Sequence, residues 1–220
     1  MGERGRRTGS SVSERAGQHS EYLRRMRSSP QFEHLRIEPR WVPGTGDIRG
    51  FCHDEVLRQW HDPNDRDDGG VRIEWLMNAW AYAQERAATG DRPGLTDILM
   101  VGGAVEQSAN RDGFRTVDVW IGNRRAPGPA FVPPMMKALD ASTAQVEPVQ
   151  RRSPGIEYAM GTFEQEVRNI RTADDWYLAY EWVHPWSDGN GRSGKVLHNW
   201  LLGTLHDPVL VADYFGAGNP

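Results

Sequence analysis

Apolar positions recur at helical spacing along most of this chain. Over 71–88, Ile73, Leu76, Met77, Trp80 and Ala87 form one stripe, and Gly90 closes the segment. Residues 52–61 predict a shorter helix capped near Asp54. Pro93-Gly94-Leu95-Thr96 opens another that runs to about Gln107, with Gly102-Gly103 marking either close packing or an early end. Pro133-Pro134 starts a helix to about Gln145, and Ser153-Pro154 starts one carrying Ile156, Ala159, Phe163, Val167 and Ile170. Ala173 to His184 is dense in Trp176, Tyr177, Tyr180, Trp182 and Val183, and Pro185 ends it. Ser193 to Leu205 is the last long helix, with Val196, Trp200, Leu201 and Leu205 as its apolar face. Only Phe114 to Gly122 alternates like a strand, setting Val117, Val119 and Ile121 against Arg115, Asp118 and Trp120. Gly122-Asn123 can turn it into a second, proline-limited strand over Arg124–Val132. The fold class is therefore mainly α: a helical bundle carrying a β-hairpin.

The N-terminal part follows different rules. Residues 1–30 are polar, with seven Arg against three Glu, and read as a basic, solvated arm. Residues 31–70 are an extension of no assigned role, 71–205 the main domain and 206–220 a tail. Asp62 to Gly69 mimics a calcium loop, but Arg66, the missing sixth-position Gly and Ile73 at the twelfth position make it an acidic turn. Cys52, His53, His61 and Asp62 lack zinc-ligand spacing.

Composition narrows the class further. A net charge of −4 argues against a nucleic-acid footprint across the chain, and the single cysteine, Cys52, excludes an intrachain disulfide. Apolar runs fall short of the roughly 18 residues a membrane span needs, and no signal-peptide core opens the chain. A soluble protein of the reducing cytoplasm is expected. Among 26 basic residues only Lys137 and Lys195 are lysines, a bias that makes a Lys at 195 noticeable.

The densest chemistry lies in His184-Pro185-Trp186-Ser187-Asp188-Gly189-Asn190-Gly191-Arg192-Ser193-Gly194-Lys195, between two predicted helices. Two glycines around Asn190 can turn successive N–H groups toward one point at the start of the next helix, a ready anion site. Arg192 suits phosphate oxygens bidentately, and Lys195 lies three residues on along the same face. Asp188 is a hard oxygen ligand of the kind Mg²⁺ takes, and His184 is the nearby side chain suited to proton abstraction near neutrality. Base, carboxylate, amide nest and cations together are the parts of a phosphoryl- or nucleotidyl-transfer site.

This segment resembles the Fic family signature, H-P-F-x-D-G-N-G-R-x-x-R. Upstream, Gly113-Phe114-Arg115, Val119-Trp120-Ile121-Gly122 and Pro133-Pro134 resemble the hairpin "flap" that precedes the Fic core, so the similarity covers roughly 71–205. The resemblance implies transfer of AMP from ATP, with Mg²⁺, to a Ser, Thr or Tyr hydroxyl of a target protein. It implies His184 as base, Asp188 as metal ligand, the Gly189-Asn190-Gly191 backbone as anion hole and Arg192 on the phosphates. The flap at Val117, Val119 and Ile121 would dock the target as an added strand. Two positions depart from the signature. Trp186 replaces Phe, and Lys195 replaces the final Arg, keeping the charge but not the bidentate fork and leaving the donor open among ATP, UTP and others. The alternative is a degenerate Fic fold that binds nucleotides or partners without transfer. Phosphotransfer of the Doc type is less well matched, because Gly191-Arg192 stands where that subgroup has Lys-Arg. The family's inhibitory pattern, [ST]-x-x-x-E-[GN], is not found; Glu14, Glu147 and Glu166 are followed by Arg15, Pro148 and Val167. The resemblance then implies either an uninhibited enzyme or an inhibitory helix supplied in trans by a small antitoxin-like protein.

Overall fold

The computed structural model describes residues 40–59, 68–121, 124–150, Phe163 and 167–211. The basic arm, most of the acidic turn and most of the segment from Ser153 to Glu166 lie outside the described residues.

Six α-helices are described: α1 (Ile48–Gln59), α2 (Asp68–Ala88), α3 (Leu95–Val105), α4 (Val132–Ser142), α5 (Ala173–Val183) and α6 (Asn190–Leu202). A short antiparallel hairpin, β1 (Trp120–Ile121) with β2 (Arg124–Arg125), lies between α3 and α4, with Trp120 opposite Arg125. The chain is mainly helical, as its pattern predicts. α6 packs against α5, α2, α3 and α1, and α2 against α1 and α3, so α6 lies at the centre of the bundle. The aromatic stripes make one apolar core that includes Trp80, Trp176, Tyr180, Trp186 and Trp200. Trp41, Phe51, Cys52 and Val56, from the segment before α2, belong to that same core. No helix among the described residues is long and apolar enough to cross a membrane.

Several boundaries differ from the expectation for physical reasons. α1 begins at Ile48, because the Asp47 carboxylate accepts the Gly50 N–H at 2.8 Å and supplies the cap. Asp54, the expected cap, is instead buried inside the helix and accepts the N–H groups of Arg40 and Trp41 at 3.0 and 2.9 Å. α6 starts three residues early, at Asn190, since Gly189 takes the left-handed N-cap position.

The predicted strand from Phe114 to Gly122 shrinks to two residues, and its return over Arg124–Val132 to two more. Its alternation does not set an inward face. Val117 and Trp120 are 55% and 64% exposed, while Arg115 is buried. A lone hairpin has no second sheet to cover one of its faces, so period-two patterning has nothing to act on. After β2 the chain turns through a 3-10 segment, Pro129–Phe131, into α4.

α3 runs unbroken through Gly102-Gly103, which resolves the choice there in favour of close packing. A Cβ on Gly102 would lie 2.0 Å from the Trp186 indole ring, closer than any real contact. Glycine at 102 is thus the counterpart of the indole at 186. Gly102→Ala gains the roughly 0.5–1 kcal/mol of helix preference but forces a fully buried ring to move, at about 1–3 kcal/mol. We expect a net destabilisation, read as a lower urea midpoint; a midpoint at or above wild type would show that the ring yields freely.

Candidate active site

α5 brings the first site residue to its place. Thr172 caps the helix by accepting the Asp175 N–H at 3.1 Å, and the buried aromatic face of α5 locks its orientation. The helix ends on His184, whose φ of 52° and ψ of 65° make it the one non-glycine residue with positive φ among the described residues. Its N–H still donates to the Tyr180 carbonyl at 2.9 Å. Burial pushes the His184 imidazole down to about 4; the Glu181 backbone carbonyl opposes that shift, and the charges of Arg115 and Arg124 reinforce it. Nδ1 is turned toward the Glu181 carboxylate at 3.7 Å, and the side chain remains 19% exposed. At neutral pH this histidine is a free base that solvent can reach.

Five residues, Pro185 to Gly189, then reverse the chain into α6. Asn190 fixes the turn: its Oδ1 accepts the Trp186 N–H at 2.8 Å, and its Nδ2 donates to the Trp186 carbonyl at 3.0 Å. Trp186 is fully buried and donates its indole N–H to the Tyr180 hydroxyl at 2.7 Å. That hydroxyl in turn pairs with Ser193 Oγ at 2.7 Å. Asn110, on the turn after α3, donates to the Asp188 carbonyl at 2.9 Å and to the Gly102 carbonyl at 3.0 Å. Gly189 adopts φ 75°, as the N-cap needs, and a Cβ there would press on Val105 at 3.0 Å. The backbone at Gly189-Asn190-Gly191 therefore opens α6, where orphan N–H groups and the positive dipole end attract anions.

The two cations of α6 are both buried and both matched by carboxylates. Arg192 Nη2 lies 3.1 Å from Glu106 Oε2 and 3.5 Å from Asp188 Oδ1. Glu106 also accepts Arg72 Nε at 2.8 Å and the Ser108 hydroxyl at 2.7 Å, so one buried carboxylate joins two guanidinium groups. Lys195 makes a buried ion pair with Glu55 of α1. Asp188 stands apart: its side chain is 48% exposed, and its Oδ1 takes the Gly189 N–H at 2.6 Å.

His184, Asp188, Gly189, Asn190, Gly191, Arg192 and Lys195 thus all lie on or beside one helix–loop–helix unit. The hairpin reaches it through Arg115, whose N–H donates to the Pro185 carbonyl at 2.9 Å, and through Arg124, which donates to the Trp182 carbonyl at 3.2 Å. Val117 is exposed, while Val119 and Ile121 are half-buried. Sequence reasoning missed Glu55, Glu106, Arg72, Asn110 and Arg115. Around Glu55 the pattern [ST]-x-x-x-E-[GN] fails at both ends, where Phe51 and Val56 stand. One signal was available for the carboxylates: cations buried in an apolar bundle require acidic partners.

No family model matches the sequence, and no curated protein matches it. Among solved structures, the chain is similar to a Fic family protein from Desulfovibrio desulfuricans G20, with 15% identity, 89% of this chain covered and a TM-score of 0.47. It is also similar to Fic-1 from C. elegans in two forms, with 18% and 19% identity, 88% of this chain covered and TM-scores of 0.48 and 0.49. The match spans 58% of the first of those chains and 54% of the other two. A likeness at this level assigns no chemistry.

Two measurements check the electrostatics. Glu106→Ala removes the carboxylate that Arg72 and Arg192 share and should cost about 3–5 kcal/mol in denaturant unfolding, the usual penalty for breaking a buried pair; a loss below ~1 kcal/mol contradicts the shared pairing. His184 titrates near 4 in the fold against about 6.5 when free. The unfolded chain therefore binds the extra proton between those values, and stability contributed by His184 is lost as pH falls from about 6.5 toward about 4. Ring proton shifts in an NMR titration should place the His184 midpoint close to the lower value, and a midpoint near the free value would refute its burial.

Proposed function

We propose that this chain is a Fic-type transferase that moves AMP from ATP to a Ser, Thr or Tyr hydroxyl of a target protein, with His184 as base and Asp188 holding Mg²⁺. One observation carries the reading. A neutral, partly exposed histidine ends one helix, and the amide-rich start of the next follows five residues later across a loop closed by Asn190. In this reading base and anion site stand side by side.

In this reading the target hydroxyl gives its proton to His184 as its oxygen bonds to the α-phosphorus. The bond from that phosphorus to the bridging oxygen breaks, and pyrophosphate leaves with the electron pair. With Nδ1 buried against Glu181, Nε2 is the nitrogen that takes the proton. The amides of Asn190 and Gly191, joined by that of Gly189 once it releases Asp188 Oδ1, hold phosphate oxygens, and Arg192 adds charge beside them. Catalysis of this kind is mostly positioning and charge stabilisation.

Asp188 suits a metal that brings its own ligands. The described residues contain no cluster of three or more His, Cys, Asp or Glu that could cage an ion. Mg²⁺ commonly takes one or two carboxylates and completes its shell with phosphate and water, and Asp188 offers one half-exposed carboxylate. Bound there, the ion would supply charge compensation to the phosphates.

Lys195 reaches the nucleotide only by leaving Glu55, so α1 is a restraint carried by the chain itself, beside any small antitoxin-like protein acting in trans. The exposed hairpin around Val117, with Val119 and Ile121, is the docking edge for the target segment. The single buried Cys52 fits a cytoplasmic setting.

The second reading is a nucleotide-binding or interaction module without transfer. It is favoured by the pairing of both Arg192 and Lys195 with internal carboxylates, which leaves less cationic charge for a donor. A donor screen with ATP, UTP, GTP and CDP-choline, read by mass spectrometry of modified lysate proteins and by calorimetry, separates the two. Transfer of AMP is expected, and His184→Ala should lower its rate by about 10²–10⁴. Nucleotide binding without any transferred mass would establish the module instead, and full activity in His184→Ala would remove the base assignment.

A further inference from the structure

Arg115 lies well outside the His184–Lys195 segment, yet both its side chain and its own N–H touch that segment. It is 3% exposed and makes no ion pair among the described residues. Its guanidinium is satisfied by carbonyls instead. Nε donates to the His184 carbonyl at 2.6 Å, and Nη2 donates to the Val183 carbonyl at 3.2 Å and to that of Pro127. Nη1 donates to the Val117 carbonyl at 2.9 Å. Four of the five guanidinium donors are thus used. Two carbonyls come from the end of α5 and one from each side of the hairpin.

Each contact answers a local need. The last carbonyls of a helix have no internal partner and carry the negative end of its dipole, so a cation there is doubly favoured. His184 also needs support. A left-handed conformation in a residue with a Cβ is strained and persists only where the surroundings over-determine it. Pro185 follows directly and narrows the choices of His184 further. Arg115 grips this strained pair from both sides, by its side chain on the His184 carbonyl and by its own N–H on the Pro185 carbonyl.

We propose that Arg115 is a positioning residue that holds His184 in its left-handed conformation and ties the base to the hairpin, so that one side chain sets both. The catalytic part of this inference rests on the transferase reading above. If a target segment seats on the hairpin, its hydroxyl is then registered against the base through the same guanidinium. Arg124, from β2, is a second cation near His184; it donates to the Trp182 carbonyl at 3.2 Å and stacks over that ring at 5.4 Å.

The test separates charge from geometry. The charged groups around His184 are Glu181 on its own helix, Arg115 on the segment entering the hairpin and Arg124 on β2, with Asp188 further along the loop. Arg115→Gln removes the charge and most of the fork, whereas Arg115→Lys keeps the charge and loses the fork. In the full chain, the NMR midpoint of His184 should rise in Arg115→Gln and stay near wild type in Arg115→Lys. Both variants should lose kcat on the order of 10²-fold, the scale of a ~1 Å misplacement, with KM for the nucleotide nearly unchanged. A purely structural role would lower the unfolding midpoint and leave these kinetic and titration readouts in place.

The proposal is overturned if Arg115→Gln, folded by far-UV circular dichroism, keeps both the wild-type His184 midpoint and kcat. Should Arg115→Gln fail to fold, a kcat for Arg115→Lys within about threefold of wild type overturns it as well. Failure of the transferase reading looks different: wild type transfers nothing from any donor. In that case the His184 midpoint and hydrogen-exchange protection of the Ala126 amide, which bonds the Val119 carbonyl at 3.0 Å, decide the positioning role without turnover. Unchanged protection with an unchanged midpoint in Arg115→Gln, or unchanged protection in a folded Arg115→Lys, would end it.

Discussion

Asn190 meets Trp186 with both ends of its side-chain amide, accepting its N–H and donating to its carbonyl, and it does so in the buried interior. Left unpaired at that depth, those two backbone groups would cost about 1–3 kcal/mol each, so the loop has little freedom to take another path. The remaining geometry follows from this constraint. Trp186 is drawn into the core against Gly102 and Tyr180, Gly189 must turn left-handed, and α6 must begin where it does. Gly194 completes the approach, since a Cβ there would lie 2.8 Å from Tyr177 of α5. The loop is shaped by packing around its neighbours.

Charge in the bundle is organised around the same helix. Arg192 and Lys195 leave water for sites where unpaired cations would be costly, and each finds a carboxylate from a different element. Glu106, from the end of α3, serves Arg72 and Arg192 together, while Glu55 brings α1 against α6. That pairing gives residues before α2 an electrostatic reason to join the core, beyond the packing of Trp41, Phe51 and Val56. Arg115 follows the other available route, in which backbone carbonyls do the work of an anion.

The helices were legible because long aromatic stripes in helical register leave few alternatives, and the loop residues because glycine, asparagine and proline constrain the backbone in known ways. The limits of α1 and α6 were less legible, since both depend on which of two nearby residues takes the cap: Asp47 rather than Asp54, Gly189 rather than Ser193. The hairpin misled for a different reason. Alternation reports a buried face only where a second layer exists to bury it, and here Arg115 turned inward because carbonyls awaited it. Glu55 and Glu106 were beyond reach in detail, lying 140 and 86 residues from the cations they meet. Sequence pattern carries local spacing well, but it holds no record of which distant carboxylate closes a buried charge.

Under the proposed transferase reading, these constraints bear on how a histidine of such low proton affinity would serve as a base. Burial and two nearby guanidinium groups keep His184 neutral across the physiological range, which makes it available, yet they also weaken it as a proton acceptor. Strength at the base is thus exchanged for certainty of its protonation state and orientation. The exchange suits the proposed transfer, which depends on bringing an oxygen in line with phosphorus, where correct placement is worth more than basicity. A strained backbone at His184, a loop closed by one amide and a guanidinium spanning helix and hairpin all act on placement. The weak base and the rigid frame around it are two results of the same burial.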